Sequence, residues 1–170
     1  MDEDDRQVGT MPKLEAHQNG AKLHRAFSIF VFNSKGELLL QKRASTKYHS
    51  KGRWTNTCCS HPRIGEKLSE AAHRRLKEEM GFDCPLKEVS HFIYKADVGD
   101  GLTEWEYDHT FFGNYEGAVR INPDEAGDFL WVSLPSLKKD IVRSPEKYTP
   151  WLRIAIDKVI EQWKQADKKS

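Results

Sequence analysis

Ser60-His61-Pro62-Arg63-Ile64-Gly65-Glu66-Lys67-Leu68-Ser69-Glu70-Ala71-Ala72-His73-Arg74-Arg75-Leu76-Lys77-Glu78-Glu79-Met80-Gly81-Phe82 is the most patterned stretch of this chain. Between Pro62 and Gly81 the run Glu70 to Met80 has helix formers throughout, and the apolar positions 68, 72, 76 and 80 recur every four residues along one stripe. The pattern predicts a helix that buries this stripe and ends at Gly81, the residue type that most easily closes a helix in the left-handed region. Its other positions gather Glu78 and Glu79 with Arg74 and Arg75, and Glu66 stands just ahead. Arg74 and Glu78, like Arg75 and Glu79, are four apart, so the plainest reading is two ion pairs worth ~0.3–0.5 kcal/mol each.

Outward from the helix, the chain alternates strands with helices. In Ala26 to Phe32 both alternating sets of positions are largely apolar, which a strand covered on two faces requires. Asn33-Ser34-Lys35-Gly36 reads as a turn, and Glu37 to Arg43 returns as a second strand that carries Lys42, Arg43 and Lys47 into one loop. Further strands are expected at 89–96, 104–115 and 129–132, with turns at 98–101 and 121–124 between them. After Pro150, the spacing of Leu152, Ile156, Val159 and Trp163 predicts a closing amphipathic helix. The fold class is therefore α/β (α+β) in one domain, over 13–166, with 1–12 a polar, mobile arm and 167–170 a tail.

Composition excludes several roles. Lysine and arginine number 27 and aspartate and glutamate 26, a net charge of +1, and no basic run marks a nucleic-acid partner. No apolar stretch approaches the ~20 residues of a membrane span, and the acidic start Met1 to Asp5 does not resemble a signal peptide. Three cysteines, two of them adjacent, make a poor disulfide framework and suit a reducing compartment, so a cytoplasmic protein is expected.

Two constellations stand outside the helix. His17, His24 and His61, with Glu104 and Glu106, supply five donors whose two carboxylates neutralise one divalent cation, and residues 104 and 106 share a face of a strand. Each piece alone is an ordinary surface feature; together they point to a metal, with Mn²⁺, Mg²⁺ and Zn²⁺ as candidates. In Trp54-Thr55-Asn56-Thr57-Cys58-Cys59-Ser60-His61-Pro62, an extended segment turns Cys58 and Cys59 to opposite sides and places Cys59 on the side of His61.

The stretch from Ser60 to Phe82 resembles the Nudix box, G-x5-E-x7-R-E-U-x-E-E-x-G-U, in which clustered carboxylates hold divalent cations against a diphosphate. Ser60 replaces its opening glycine, and Arg75 replaces the first glutamate of R-E-U-x-E-E. The second departure puts a permanent cation where a hydrolase keeps a metal-binding carboxylate, and a guanidinium grips phosphate bidentately.

Over Lys13 to Trp151 the chain resembles the type I isopentenyl-diphosphate isomerases, with Lys13, His17, His24, Arg43, Lys47, the 54–62 run, the altered box, Glu104-x-Glu106 and Tyr148-Thr149-Pro150-Trp151 in order. The resemblance implies a Nudix-like α/β/α sandwich with a mixed sheet. It implies metal ligands His17, His24, His61, Glu104 and Glu106, and a second Mg²⁺ that Glu79 links to a prenyl diphosphate substrate. By the same resemblance Cys59 and Glu106 are the proton-transfer pair, with Tyr94 hydrogen-bonded near the acid. Lys13, Arg43, Lys47 and Arg75 hold the diphosphate, and Trp151 faces the cationic intermediate. A monomer is expected. Two rival readings are a Nudix pyrophosphatase acting on a nucleotide or prenyl diphosphate, which Glu66, Glu78 and Glu79 permit, and a non-catalytic diphosphate-binding module.

Overall fold

The computed structural model describes residues 1–47 and 49–167. Its elements run α1 (Lys13–His17), β1 (His24–Phe32), β2 (Glu37–Arg43), β3 (Trp54–Thr55), β4 (Cys58–Ser60), α2 (Leu68–Met80), β5 (Leu86–Gly99), β6 (Leu102–Asn114), β7 (Ala126–Ser133), α3 (Leu134–Arg143) and α4 (Pro150–Asp167). Residues 168–170 of the expected tail lie outside the described residues.

The sheet is mixed, and β1 is its axis. On one side β1 runs parallel to β6, pairing His24 with Glu106 and continuing in register to Phe32 with Asn114. On the other it pairs antiparallel with β4 at Phe27 to Ile29 and with β2 only at Phe32. The order β3-β2-β1-β6-β5 is completed by β7 on β2. Between β1 and β2 the segment 54–60 fills the opening. Thr57 Oγ1 accepts Val31 N–H at 2.9 Å and donates to Leu39 O at 2.7 Å. Asn56 Nδ2 donates to Ile29 O and Cys58 O. Thr-Asn-Thr here satisfies backbone groups that would otherwise be buried without partners where the two strands part.

Alternation along β1 divides the core in two. Phe27, Ile29 and Val31 pack with Ala72, Leu76 and Met80 of α2. Phe30 and Phe32 pack with Leu137 and Ile141 of α3 and with Leu152, Ile156 and Val159 of α4. Helices thus cover both faces of the sheet, giving the α/β/α sandwich. Leu76, Met80 and Leu152 are fully buried, each worth roughly 1.5–3 kcal/mol.

The helical stripe at 68, 72, 76 and 80 bounds α2, and β2 has the expected limits. Strand β5 runs to Gly99 and β6 starts at Leu102 because hairpin pairing carries both to the turn at Asp100-Gly101, where both residues have positive φ. Strand β6 ends one residue early at Asn114, and β7 starts three residues early because its pairing with β2 continues to Ala126. Four short elements escaped the reading. Helix α1 and strands β3 and β4 are too short to show a period, and α3 announces itself only through its cap, Ser133, which accepts Ser136 N–H ahead of Leu134-Pro135. Residues 1–6 lie against β1: the Met1 ammonium donates to Leu23 O, and Arg25 Nε donates to Asp5 Oδ1 at 2.8 Å.

Gly81 has φ +73°, and a Cβ there would meet Arg120 O at 2.2 Å. Gly81→Ala combines left-handed strain with overpacking and lowers the unfolding free energy by roughly 2–4 kcal/mol. Gly65, also at positive φ but with no neighbour within 4 Å, pays only the strain, roughly 1 kcal/mol as Gly65→Ala. Urea unfolding of both variants checks this; equal losses would contradict it. Glu66 receives Arg74 Nε at 2.6 Å and Nη2 at 2.8 Å, and these bonds first, against a smaller burial effect, take its carboxyl from 4.5 down to about 2. A depressed carboxyl contributes stability that is full above the unfolded value and lost as pH falls from about 4.5 towards 2. Glu66→Gln should therefore flatten the stability curve across that acid window, measured by unfolding at several pH values; parallel curves would refute it.

Candidate active site

The register of three strands assembles the site on the face of the sheet turned towards α4. His24 of β1 lies opposite Glu106 of β6, and Ser28 of β1 lies opposite Cys59 of β4. Glu104, Glu106 and Asp108, alternate residues of β6, form a column of buried carboxyls on that face. Lys13, Arg43, Lys47, Cys59, His61, Arg75, Tyr94, Glu104, Glu106 and Trp151 line one pocket, together with Ser60 and His49. Of the residues expected at the site, His17, His24 and Glu79 stand behind this lining.

Ligand atoms of His17, His24, His61 and Glu106 all lie within 4.8 Å of one another. The Nδ1 atoms of His17 and His24 face the carbonyls of Lys13 and Lys22 at 2.7 Å. A carbonyl only accepts, so each Nδ1 carries the proton and each Nε2 presents a lone pair to the cluster. His24 Nε2 lies 3.2 Å from His61 Nε2, and these lie 3.5 Å and 2.9 Å from Glu106 Oε1. Electron-rich atoms converge so closely only around a proton or a cation, and adjacent imidazoles on one metal stand roughly 3 Å apart. The donor set therefore fits a divalent metal. Burial first, against the pull of Glu106, takes His61 down to about 4, so it is a neutral donor.

The fifth expected donor, Glu104, does not join those four. It belongs to an adjoining group with His17 and His49. Its Oε2 receives Tyr94 Oη at 2.8 Å, and its Oε1 faces His49 Nε2 at 3.5 Å. Tyr94 Oη also reaches Glu106 Oε2 at 2.6 Å, so one hydroxyl ties the two carboxyls together. Burial and the Glu106 charge hold the Glu104 carboxyl well above the usual range; burial also raises Glu106, but bonds from His24 and His61 outweigh it. Sequence reading missed His49 and Asp108. His49 sits in a loop with no period to expose it, while Asp108 extends the column begun by Glu104 and Glu106 and was signalled by that spacing.

Cys59 Sγ donates to Asn56 Oδ1 at 2.8 Å and lies 3.6 Å from Ser28 Oγ, which donates to Asp108 Oδ2 at 2.7 Å. Burial, then the Asp108 charge, holds the Cys59 thiol well above its ordinary value. Cys58 is fully buried against the α2 face. All three cysteines are free.

The opposite wall is cationic. Burial, then the charges of Lys47 and Arg43, push the Lys13 ammonium below its ordinary value, as crowded like charges must. Arg43 donates to His49 O at 3.1 Å and its guanidinium lies 5.2 Å from the centre of the Trp151 ring. Trp151 Nε1 donates to Thr55 Oγ1 at 2.8 Å, which fixes the buried indole. Arg75 reaches Glu78 and Glu79 at 2.6 Å and Glu125 at 3.0 Å, and Lys47 pairs with Glu125. Glu79 is buried, its second oxygen taking Gln41 Nε2 at 2.7 Å. The cation at position 75 thus neutralises the carboxylates that the altered box retains. No helix among the described residues is long and apolar enough to cross a membrane.

Residues 22–152 match the NUDIX domain. Solved structures share the fold: a protein of Deinococcus radiodurans has a TM-score of 0.77 at 16% identity, covering 92% of this chain and 94% of that one. A MutT protein from Methanosarcina mazei has a TM-score of 0.66 at 19% identity, covering 86% of this chain and 96% of that one. Among curated relatives, isopentenyl-diphosphate Delta-isomerase 2 of Photorhabdus laumondii is 54% identical over 169 residues, 97% of this chain and 95% of that protein. The isopentenyl-diphosphate Delta-isomerase of Serratia proteamaculans is 50% identical over 151 residues, 89% of this chain and 84% of that one. Coverage is nearly complete on both sides, and the chain belongs to the isopentenyl-diphosphate Delta-isomerase family, built on a NUDIX domain.

Proposed function

We propose that this pocket interconverts isopentenyl diphosphate and dimethylallyl diphosphate by moving a proton across an allylic unit, leaving the diphosphate intact. The observation that carries the reading is the pairing of a cationic wall, Lys13, Arg43, Lys47 and Arg75, with a thiol and a carboxyl in the same pocket. The wall grips the diphosphate, and Glu79 would hold a Mg²⁺ that supplies further positive charge to it. His17, His24, His61 and Glu106, joined by Glu104, hold a divalent cation, Mn²⁺, Mg²⁺ or Zn²⁺. That cation supplies positive charge that makes the Glu106 carboxyl a stronger acid.

Glu106 adds a proton to the terminal methylene of the alkene, and a tertiary carbocation forms. Cys59 removes a proton from the carbon next to the diphosphate-bearing end, and the electron pair left behind becomes the new double bond. The uptake requires Cys59 as its thiolate and leaves it as the thiol that donates to Asn56; burial, which disfavours the charged sulfur, makes that thiolate a strong base. The reverse reaction exchanges the two roles. Tyr94 holds Glu106 through the bond at 2.6 Å, and the buried face of Trp151 stabilises the cation while excluding water. Free cysteines support a reducing, cytoplasmic setting, and we place the activity in a monomer of the 13–166 domain.

Cys59→Ala and Glu106→Gln should each lower kcat by on the order of 10²–10⁴-fold or more while the protein still folds, and Cys58→Ala should keep most of its activity. Turnover of isopentenyl diphosphate measures all three; an inactive Cys58→Ala beside an active Cys59→Ala would reverse the assignment. Arg75→Gln removes a charged contact of ~1.5–3 kcal/mol to the diphosphate, so KM should rise roughly 10–100-fold. An unchanged KM would mean that Arg75 serves only Glu78, Glu79 and Glu125.

A further inference from the structure

His49 is 2% exposed and lies in the loop between β2 and β3, yet it reaches three parts of the site. Its Nε2 stands 3.5 Å from Glu104 Oε1, and it shares with His17 and Glu104 a group whose ligand atoms lie within 4.8 Å of one another. Its ring meets the Trp151 indole edge-on, with centres 5.8 Å apart at 87°. Its carbonyl takes the Arg43 guanidinium. Glu104 is therefore hydrogen-bonded by Tyr94 at one oxygen and faced by His49 at the other, and stands beside the four converging donors rather than among them.

We propose that His49 is a positioning residue of the metal centre: its Nε2–H directs the Glu104 carboxylate towards the cation that His17, His24, His61 and Glu106 hold, while its ring braces Trp151. A carboxylate with one oxygen on Tyr94 and no second restraint swings about that bond, so its availability to the cation falls with the His49 donor. Groups that orient ligands in this way are worth roughly 10–100-fold in metal affinity. The proposal rests on the reading of the His/Glu cluster as the divalent-metal site.

Two variants separate the polar contact with Glu104 from the packing. His49→Phe keeps an aromatic ring against Trp151 and removes the donor; His49→Gln keeps a donor and removes the ring. The full chain, stripped of metal, is titrated with Mn²⁺ alone in competition with a chelator, and kcat and KM for isopentenyl diphosphate are measured on the Mn²⁺-loaded proteins. His49→Phe should bind Mn²⁺ roughly 10–100-fold more weakly, with kcat falling more than KM rises, and His49→Gln should recover most of the affinity. Affinity unchanged in His49→Phe, or equally reduced in both variants, overturns the positioning role. A His61→Ala protein that binds Mn²⁺ as tightly as the wild type overturns the metal-site reading itself, and the role of His49 with it.

Discussion

The parallel pairing of β1 with β6 is the constraint on which the site depends. It sets His24 opposite Glu106, and the antiparallel pairing of β4 on the other flank of β1 sets Cys59 opposite Ser28. Slipping either register by one residue would turn Glu106 or Cys59 into the α2 core and expose an apolar side chain in its place. The apolar layer of Phe27, Ile29 and Val31 against α2 offers a carboxyl no partner, and the cost of burying one there opposes that slip. Packing energy spent on Phe27, Ile29, Phe30 and Phe32 thus fixes where an acid and a thiol stand. The Thr57 and Asn56 hydrogen bonds complete the arrangement, because they let β1 and β2 part without leaving backbone groups unsatisfied.

Electrostatics then decides which chemistry the fold supports. A NUDIX helix with an intact box gathers carboxylates to hold cations, whereas here Arg75 occupies that centre and binds Glu78, Glu79 and Glu125 directly. The negative charge that would recruit several cations is largely cancelled. Positive charge accumulates at Lys13, Arg43 and Lys47 instead, and the electron-rich donors collect some residues away, at His17, His24, His61 and Glu106. The molecule thereby separates a cationic wall from a cluster of metal-ligand-type donors, and Cys59 and Trp151 line the same pocket.

Most of this was legible in the sequence, for identifiable reasons. A four-residue apolar stripe ending in glycine has few readings other than α2, and a strand apolar on both faces has to lie between two helical layers. Glu104-x-Glu106 and Cys58-Cys59 carry their facing in their spacing, since alternation leaves only one member of each odd or even set on a given side. What escaped was set by tertiary contacts. His49 shows no pattern with its neighbours and enters the site only because its loop folds over Trp151 and Glu104. Glu125 is far along the chain from Lys47 and Arg75 and meets both through the pairing of β7 with β2. The place of Glu104 beside the other donors, rather than among them, follows from its hydrogen bond with Tyr94 and its contact with His49, which no spacing encodes.

The central claim is that the pocket transfers a proton to carbon and leaves the diphosphate whole. It is tested most directly by incubating the full chain with isopentenyl diphosphate, Mg²⁺ and Mn²⁺ in deuterium oxide and following proton and phosphorus NMR together. The account predicts dimethylallyl diphosphate carrying deuterium in a methyl group, with the diphosphate signals retained throughout. Release of phosphate ahead of any isomerised or deuterated product would contradict it and return the pocket to the hydrolases that share its fold.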